Sequence, residues 1–276
     1  MTTTTTTPTY DPAAHKGLKV TARRVLRSEW SKFWSLRSSR ITLAFSVVVL
    51  IAFGAISAAV YKTPAGTTGS LDSNGNDAVS LALTGVSVAG LIFGVLGVLM
   101  CAGEYGTGMV RSTFVAVPRR WPVLLAKSAV IGLLALVLST ISVLIAFQIS
   151  AAALHGKPIA LTLGDSGVLR CLVGAGVYLA LFALFGAALG SLLRSTPGAI
   201  GALVGFLLLL PGLAALLPTA TQNRVKPYFP DNAGESIYAL HRTSDSLSPG
   251  AGLLVFAAWV AVLLAAAAYR LKRSDV

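Results

Sequence analysis

Few residues of this chain are of the types that catalyse reactions, and their spacing does not assemble a catalytic site. The sequence GDSG at residues 164–167 resembles the surroundings of a serine nucleophile, but no third member of a triad accompanies it and nearby His155. The three histidines, including His15 and His241, have no spacing typical of metal ligands. No G-x-x-x-x-G-K-[ST] motif is present, so the chain lacks a phosphate-binding loop for ATP. The sequence therefore predicts a protein without catalytic activity, cofactor or metal of its own.

The most distinctive polar stretch is GEYGTGMVRSTFVAVPRRWP, residues 103–122, which lies between two long apolar segments. Gly103 and Gly106 are expected to break the preceding helix as it leaves the apolar region. Thr107 is a good N-cap for a short helix over residues 108–116. This pattern predicts a small separate helix rather than a simple turn.

The predicted short helix is amphipathic. Met109, Val110 and Phe114 share one face, and Pro118 would end the helix before the basic sequence RRWP. A helix of this kind either lies among lipid headgroups or inserts into a groove on a partner protein. The chemistry of this stretch is therefore contact rather than catalysis.

The surrounding chain has the composition of an integral membrane protein. Its 276 residues are 55% hydrophobic and only 12% charged, about half the charged fraction of a soluble domain, and the mean hydropathy is +0.76. A membrane helix needs about 20 apolar residues, and six segments qualify. These predicted spans are residues 41–60, 79–102, 123–153, 168–193, 199–217 and 250–271. The predicted fold is an all-α integral membrane domain over residues 41–271.

The distribution of Lys and Arg predicts the orientation. With both termini in the cytoplasm, sixteen of these residues lie on the cytoplasmic side and six on the other, as the positive-inside rule requires. Because the charges cluster at the ends of apolar segments, the net charge of +12 does not indicate a nucleic-acid partner. The expected location is the cytoplasmic (inner) membrane of a bacterium.

Two regions precede the first predicted span. Residues 1–14 form a Thr-rich segment that is expected to be disordered, and residues 15–40 combine basic and apolar residues at helical spacing. This second region predicts an amphipathic helix in the membrane interface, which serves either as a plain basic anchor or as an elbow that contacts a partner. The predicted anchoring residues are Arg23, Arg24, Arg27, Trp30, Phe33 and Trp34.

Charged residues in or near the spans lie only at span ends, where Glu104, Lys127, Arg170 and Arg194 are expected to reach water or headgroups. Ion-coupled carriers usually place such residues at membrane depth, so this pattern disfavours a proton-driven mechanism. The loop at residues 218–249 is unusually apolar, and a short helix within it is expected to be capped by Asp231 or Asn232.

Small residues recur at four-residue spacing in three of the predicted spans. The pairs are Gly90/Gly94, Gly186/Gly190 and Gly201/Gly205. Such pairs are typical of close helix packing, and a sliding interface between two subunits is the alternative. The spacing alone does not separate the two interpretations.

A family resemblance rests on three of these features: the pre-span helix RSEWSKFWSLRSSR, the stretch GEYGTGMVRSTFVAVPRRWPVLLAK and the six-span plan. In these features residues 19–273 resemble bacterial ABC exporter permeases of the type-2 class, most specifically at residues 104–118. The resemblance implies a cytoplasmic elbow helix at residues 19–38, a coupling helix between spans two and three, and short re-entrant helices within residues 218–249.

The resemblance also implies partners. Two copies of a separate ABC ATPase would hold ATP and Mg, and a second permease subunit, identical or paralogous, would complete the pathway in the lipid bilayer. The residues expected to contact the ATPase are Glu104, Tyr105, Thr107, Met109, Arg111 and Phe114. Two other classes stay open, namely a carrier or channel not linked to ATP and a membrane anchor or assembly subunit.

Overall fold

Helices form nearly all the regular structure of this chain. The computed structural model describes residues 22–64, 67, 69–106, 120–216, 218–241 and 246–273, and no strand occurs within these ranges. Six of the helices are long and apolar enough to cross a membrane, which agrees with the predicted class and number of spans. In chain order, spans one to six are α2 (Arg37–Val60), α4 (Val86–Gly106), α5 (Arg120–Ala153), α6 (Val168–Leu193), α7 (Thr196–Ala214) and α10 (Pro249–Arg273).

The second predicted span is split in the structure. Its first residues form a separate short helix, α3 (Ala78–Ala82), and span two begins only at Val86. The break follows from close packing against span one. A Cβ atom on Gly54 would overlap the Ala82 carbonyl group, and one on Gly85 would lie 2.8 Å from Phe53 Cβ. A continuous helix is therefore interrupted where two backbones approach each other.

Span four is the centre of the bundle. Within an apolar stretch of 18 residues in span four, 78% of the residues are buried, whereas 17% are buried in the corresponding stretch of span five. The aromatic rings of Tyr178, Phe182 and Phe185 on span four are almost completely buried and pack against Phe256 of span six. Most of the surface of span five is therefore exposed on the outside of the bundle.

The hydroxyl groups of span three join it to neighbouring spans. Ser139 Oγ donates to the Gly176 carbonyl of span four at 3.0 Å, and Ser150 Oγ donates to the Gly54 carbonyl of span one at 3.1 Å. Both serines are fully buried. Their polarity therefore serves helix packing and does not line a passage.

Three short helical segments lie between spans five and six: α8 (Thr219–Val225), a 3₁₀ turn (Lys226–Tyr228) and α9 (Pro230–Tyr238). Pro230 occupies the first turn of α9, and Phe229 is its N-cap. The prediction of a cap at Asp231 or Asn232 is wrong, because proline begins the helix without a free N–H group.

The short segments reach well into the bundle. Trp259 Nε1 donates to the Tyr228 carbonyl at 3.1 Å, and Tyr178 Oη donates to Asp231 Oδ1 at 2.9 Å. Trp259 and Tyr178 each lie ten residues inside their spans, which corresponds to a depth of about 15 Å. The chain then returns along α9 to the end of the bundle.

The helix before span one, α1, covers Ala22–Ser35 and joins span one through a single extended residue, Leu36. We refer to the end of the bundle that carries α1 as the α1 end, and to the opposite end as the α9 end. Spans two, four and six finish at the α1 end, and spans three and five begin there. Residues 107–119, which connect spans two and three, also belong to this end and lie outside the described residues.

Candidate functional site

Four charged side chains meet at the α1 end and form a closed ring of alternating charge. Lys127 Nζ of span three lies 2.6 Å from Glu104 Oε1 of span two and 3.3 Å from Glu29 Oε2 of α1. Lys32 Nζ of α1 lies 2.8 Å from Glu29 Oε1 and 3.2 Å from Glu104 Oε1. Each cation therefore contacts both carboxylates, and the four charges cancel. We call these four residues the charge ring.

The charge ring is largely shielded from solvent. The side chains of Glu29 and Lys127 are 2% and 7% exposed, and those of Glu104 and Lys32 are 13% and 22% exposed. The expectation that span-end charges reach water or headgroups is therefore wrong for Lys127. Charges removed from water are retained only when they are paired, and here the pairing joins three different helices.

Lys127 has three partners around its ammonium group. It contacts Glu104 and Glu29, and it also donates to the Met100 carbonyl of span two at 3.2 Å. Glu29 Oε2 contacts Lys127 as an ion pair without an aligned hydrogen bond. Loss of Lys127 would therefore leave both carboxylates with reduced compensation.

The position of α1 brings two of the charges into the ring. Glu29 and Lys32 are three residues apart, so they lie on one face of the helix, and Phe33 beside them is 1% exposed. Trp30 and Trp34 lie on the other side and are 44% and 48% exposed. The helix thus turns one face toward the bundle and presents its indole rings to the surroundings.

The predicted interfacial anchors divide between these two faces. Arg23 and Arg27 are exposed, as are Trp30 and Trp34, whereas Phe33 belongs to the buried core. Of these predicted anchors, Phe33 thus faces the bundle. The side chain of Arg24 lies outside the described residues.

Of the six predicted contact residues, the structure describes the first two. Glu104 is part of the charge ring, and the ring of Tyr105 lies beneath the guanidinium group of Arg194 at 5.5 Å. The other four lie outside the described residues, together with the predicted helix over residues 108–116: Thr107, Met109, Arg111 and Phe114. Span two is helical through Gly106, so the prediction of a helix break at Gly103 is wrong, and the chain after Gly106 lies outside the described residues.

Arg194 connects span four to span two at this end. It ends span four in the left-handed conformation with φ of 56°, and its backbone N–H donates to the Gly190 carbonyl. Besides its contact with Tyr105, its Nε and Nη2 atoms are buried without hydrogen-bond partners among the described residues. Arg270 of span six donates to the Leu192 carbonyl of span four. Charged side chains thus join the ends of spans two, three, four and six at this end of the bundle.

The sequence analysis did not single out Glu29 and Lys32 and misjudged the surroundings of Lys127. One signal was available, because Glu29 is the only acidic residue between positions 15 and 40. An isolated carboxylate within a strongly basic segment has many possible cationic partners. Only the packing of α1 against spans two and three selects Lys32 and Lys127 as its partners.

The GDSG sequence forms a turn. Asp165 Oδ2 accepts hydrogen bonds from Thr162 N at 2.6 Å and from Thr162 Oγ1 at 3.0 Å, and these bonds lower the pKa of the Asp165 carboxyl. The carboxylate is therefore engaged by the turn itself. Across the described part of the chain, no group of three His, Cys, Asp or Glu residues could hold a metal ion.

No protein-family model matches this sequence, and no curated protein is significantly similar to it. The helices and the site nevertheless define a class. The chain is an all-α, multi-pass membrane protein whose main buried ionic cluster lies at one end of the bundle, where α1 meets spans two and three.

Proposed function

We propose that this chain is the membrane-spanning permease subunit of an ATP-driven exporter of the ABC type. Two copies of a separate ATPase would bind at the α1 end through residues 107–119, and a second permease subunit would complete the pathway. On this proposal the α1 end faces the cytoplasm, in agreement with the distribution of Lys and Arg. The resemblance of residues 104–118 to the coupling region of type-2 permeases is the sequence argument.

The structural observation that supports the proposal is the charge ring. Glu104 precedes residues 107–119 and Lys127 follows them, so the two sides of this loop are fastened to each other by an ion pair of 2.6 Å. Glu29 and Lys32 add α1 to the same unit. A force applied to the loop would therefore move span two, span three and α1 together. This is the mechanical property that a coupling site requires.

The same observations weigh against a carrier driven by ions. Ser139 and Ser150 of span three donate to carbonyl groups of neighbouring spans, and the charge ring is neutral and lies at one end of the bundle. Proton relays use ionisable groups at membrane depth. Because the chain also lacks a phosphate-binding loop, ATP would have to be bound by another chain.

Placing a charge on the apolar face of the predicted coupling helix tests the proposal. We expect Phe114→Asp and Met109→Asp to weaken ATPase binding at least tenfold, since an unpaired carboxylate would enter an apolar groove. The permease is purified from its native host and its associated ATPase is identified. Binding and permease-stimulated ATP hydrolysis are then measured with both proteins reconstituted in liposomes.

Ser112→Asp is the matched control. It adds the same charge to the same loop and is matched to Phe114→Asp, because residues 112 and 114 lie nearly opposite each other on a helical wheel, whereas residues 109 and 112 are neighbours. The control should bind the ATPase normally, and all three variants should insert and purify like the wild type. Normal coupling in Phe114→Asp and Met109→Asp would contradict the proposed coupling helix. Binding of an ATPase without any stimulation by the wild type would instead favour an anchor or assembly subunit.

A further inference from the structure

An apolar groove runs down the side of the bundle at the α9 end. It lies between spans four and six, has a volume of about 490 Å³, and is floored by Ile237 of α9. Its other apolar walls are Leu169, Val173, Val177 and Leu253. Three of these side chains are substantially exposed: Leu169 at 56%, Val173 at 43% and Leu253 at 36%.

Glycines create the groove. Gly174 lies directly against α9, because a Cβ atom there would be 2.6 Å from the Ile237 carbonyl oxygen. Gly250 on the opposite wall has no atom of another residue within 4 Å of its Cβ position. Span four and α9 are thus in backbone contact at the floor, and on the span-six wall Gly250 contributes no side chain.

Arg170 lines the groove at its end near the membrane boundary. Its Nη1 donates to the Ile237 carbonyl at 3.2 Å, and its Nη2 donates to the Ala239 carbonyl at 2.9 Å and to Cys171 Sγ at 3.3 Å. A guanidinium group has five N–H donors, so two remain for a ligand. Among the described residues, no carboxylate forms an ion pair with Arg170.

We propose that this groove binds one anionic phospholipid, with the phosphate on Arg170 and an acyl chain along the apolar walls. Arg170 is the third residue of span four, which places it at headgroup depth. Val177 lies seven residues further along the span, about 10 Å deeper. The groove thus offers a cation at the depth of a phosphate and an apolar channel at the depth of a chain. A guanidinium group with free N–H donors favours a headgroup with net negative charge over a zwitterionic one.

The bound lipid would join three elements of the α9 end. Arg170 already holds the C-terminal end of α9 to span four through two carbonyl groups. A phosphate on the same guanidinium and a chain against Leu253 would add span six to this contact. The lipid is therefore a structural ligand of the short helices between spans five and six, independent of any ATPase.

Native mass spectrometry of the full chain in a neutral detergent tests this proposal. The probes are phosphatidylglycerol and phosphatidylcholine with identical acyl chains. We expect one phosphatidylglycerol per chain to be retained at least ten times more strongly than phosphatidylcholine. Arg170→Gln should abolish this preference, and Leu253→Trp should lower retention about tenfold by filling the groove while leaving Arg170 in place.

Two matched variants control for loss of charge and for added bulk. Arg224→Gln removes an exposed cation of α8 that does not line the groove. Leu254→Trp enlarges a neighbouring side chain that is 72% exposed and does not line the groove either. Both should retain the lipid as the wild type does, and circular dichroism verifies that every variant is folded.

Three outcomes would overturn the proposal. The first is equal retention of phosphatidylglycerol by the wild type, Arg170→Gln and Leu253→Trp. The second is displacement of the lipid by millimolar inorganic phosphate, which would indicate an anion site without an acyl-chain channel. The third is efficient disulfide cross-linking of Leu253→Cys between two chains in native membranes, since a second copy would then cover the groove.

Discussion

Replacing Lys127 with methionine is expected to lower the free energy of unfolding by about 3–5 kcal/mol, the usual cost of removing one partner from a buried ion pair. The ammonium group lies 2.6 Å from Glu104 and 3.3 Å from Glu29. Methionine fills a similar volume but removes one of the two cations of the charge ring, so that Lys32 is the one cation of the ring that still contacts Glu29 and Glu104. The ring then carries a net negative charge in a region with little access to water.

The measurement is equilibrium unfolding of the purified protein in mixed micelles, followed by circular dichroism. Lys272→Met is the matched control, since Lys272 lies at the same end of the bundle but is exposed. It should change stability by less than about 0.5 kcal/mol. A Lys127→Met variant as stable as this control would show that the charge ring does not stabilise the fold.

A double variant separates loss of pairing from loss of packing. Glu29→Met together with Lys127→Met removes one charge of each sign and leaves Lys32 and Glu104 paired at 3.2 Å. Replacing a buried ion pair with apolar residues is often nearly neutral, so the double variant should be more stable than Lys127→Met alone. A double variant destabilised by the sum of its single changes would mean that the residues act independently.

The charge ring also has a predicted effect on α1. Two of its four charges come from this helix, and Phe33 is the buried apolar contact beside them. Lys127→Met should therefore increase hydrogen exchange in α1 more than in span four. Uniform exchange across the protein would indicate that α1 is held mainly by apolar packing.

The number of spans was predictable because a bilayer sets a minimum length for an apolar helix. The break between α3 and span two was not predictable, because the sequence AVSLALTGVSVAG contains no proline and no charged residue to mark the end of a helix. The break depends on contacts made after folding: Ser57 Oγ donates to the Leu81 carbonyl at 2.5 Å, and Gly54 and Gly85 allow backbone contact with span one. Such contacts between distant residues cannot be predicted from the local sequence.

The charge ring is a second feature that could not be predicted from the sequence. A lysine seven residues after Arg120 at the start of a span is ordinarily solvated or reaches the headgroups, and this reasoning led to the wrong environment for Lys127. Its burial results from α1 packing over the ends of spans two and three. The predicted contact residues include Glu104, a member of the charge ring, but the partners of Glu104 are far from it in sequence.

The second large effect is expected for Gly186→Ala, which should destabilise the protein by about 2–3 kcal/mol through overpacking. A Cβ atom on Gly186 would overlap the Gly94 carbonyl oxygen of span two, because the two atoms would be much closer than 3.0 Å, the shortest contact that Cβ atoms make. One turn further along, a Cβ atom on Gly190 would lie 3.0 Å from the Val98 carbonyl oxygen. The backbones of spans two and four are thus in contact over at least one full turn.

Gly201→Ala is the matched control because Gly201 belongs to a pair with the same four-residue spacing. No atom of another residue lies within 4 Å of its Cβ position, and span five is the least buried span. Alanine is favoured over glycine in a helix by about 1 kcal/mol, so Gly201→Ala should be neutral or slightly stabilising. Unfolding of both variants in the same mixed micelles gives the comparison.

The two variants also distinguish the interpretations of the glycine pairs. Within this chain the Gly94 and Gly186 positions pack against each other, so their spacing serves close packing of two spans in one subunit. The Gly201/Gly205 pair makes no comparable contact and remains the candidate for an interface with a second chain. If Gly186→Ala and Gly201→Ala have equal effects on unfolding of the isolated chain, the two glycine pairs do not differ in their role in packing. If Gly201→Ala weakens self-association without changing the stability of the isolated chain, the Gly201/Gly205 pair lies in a subunit interface.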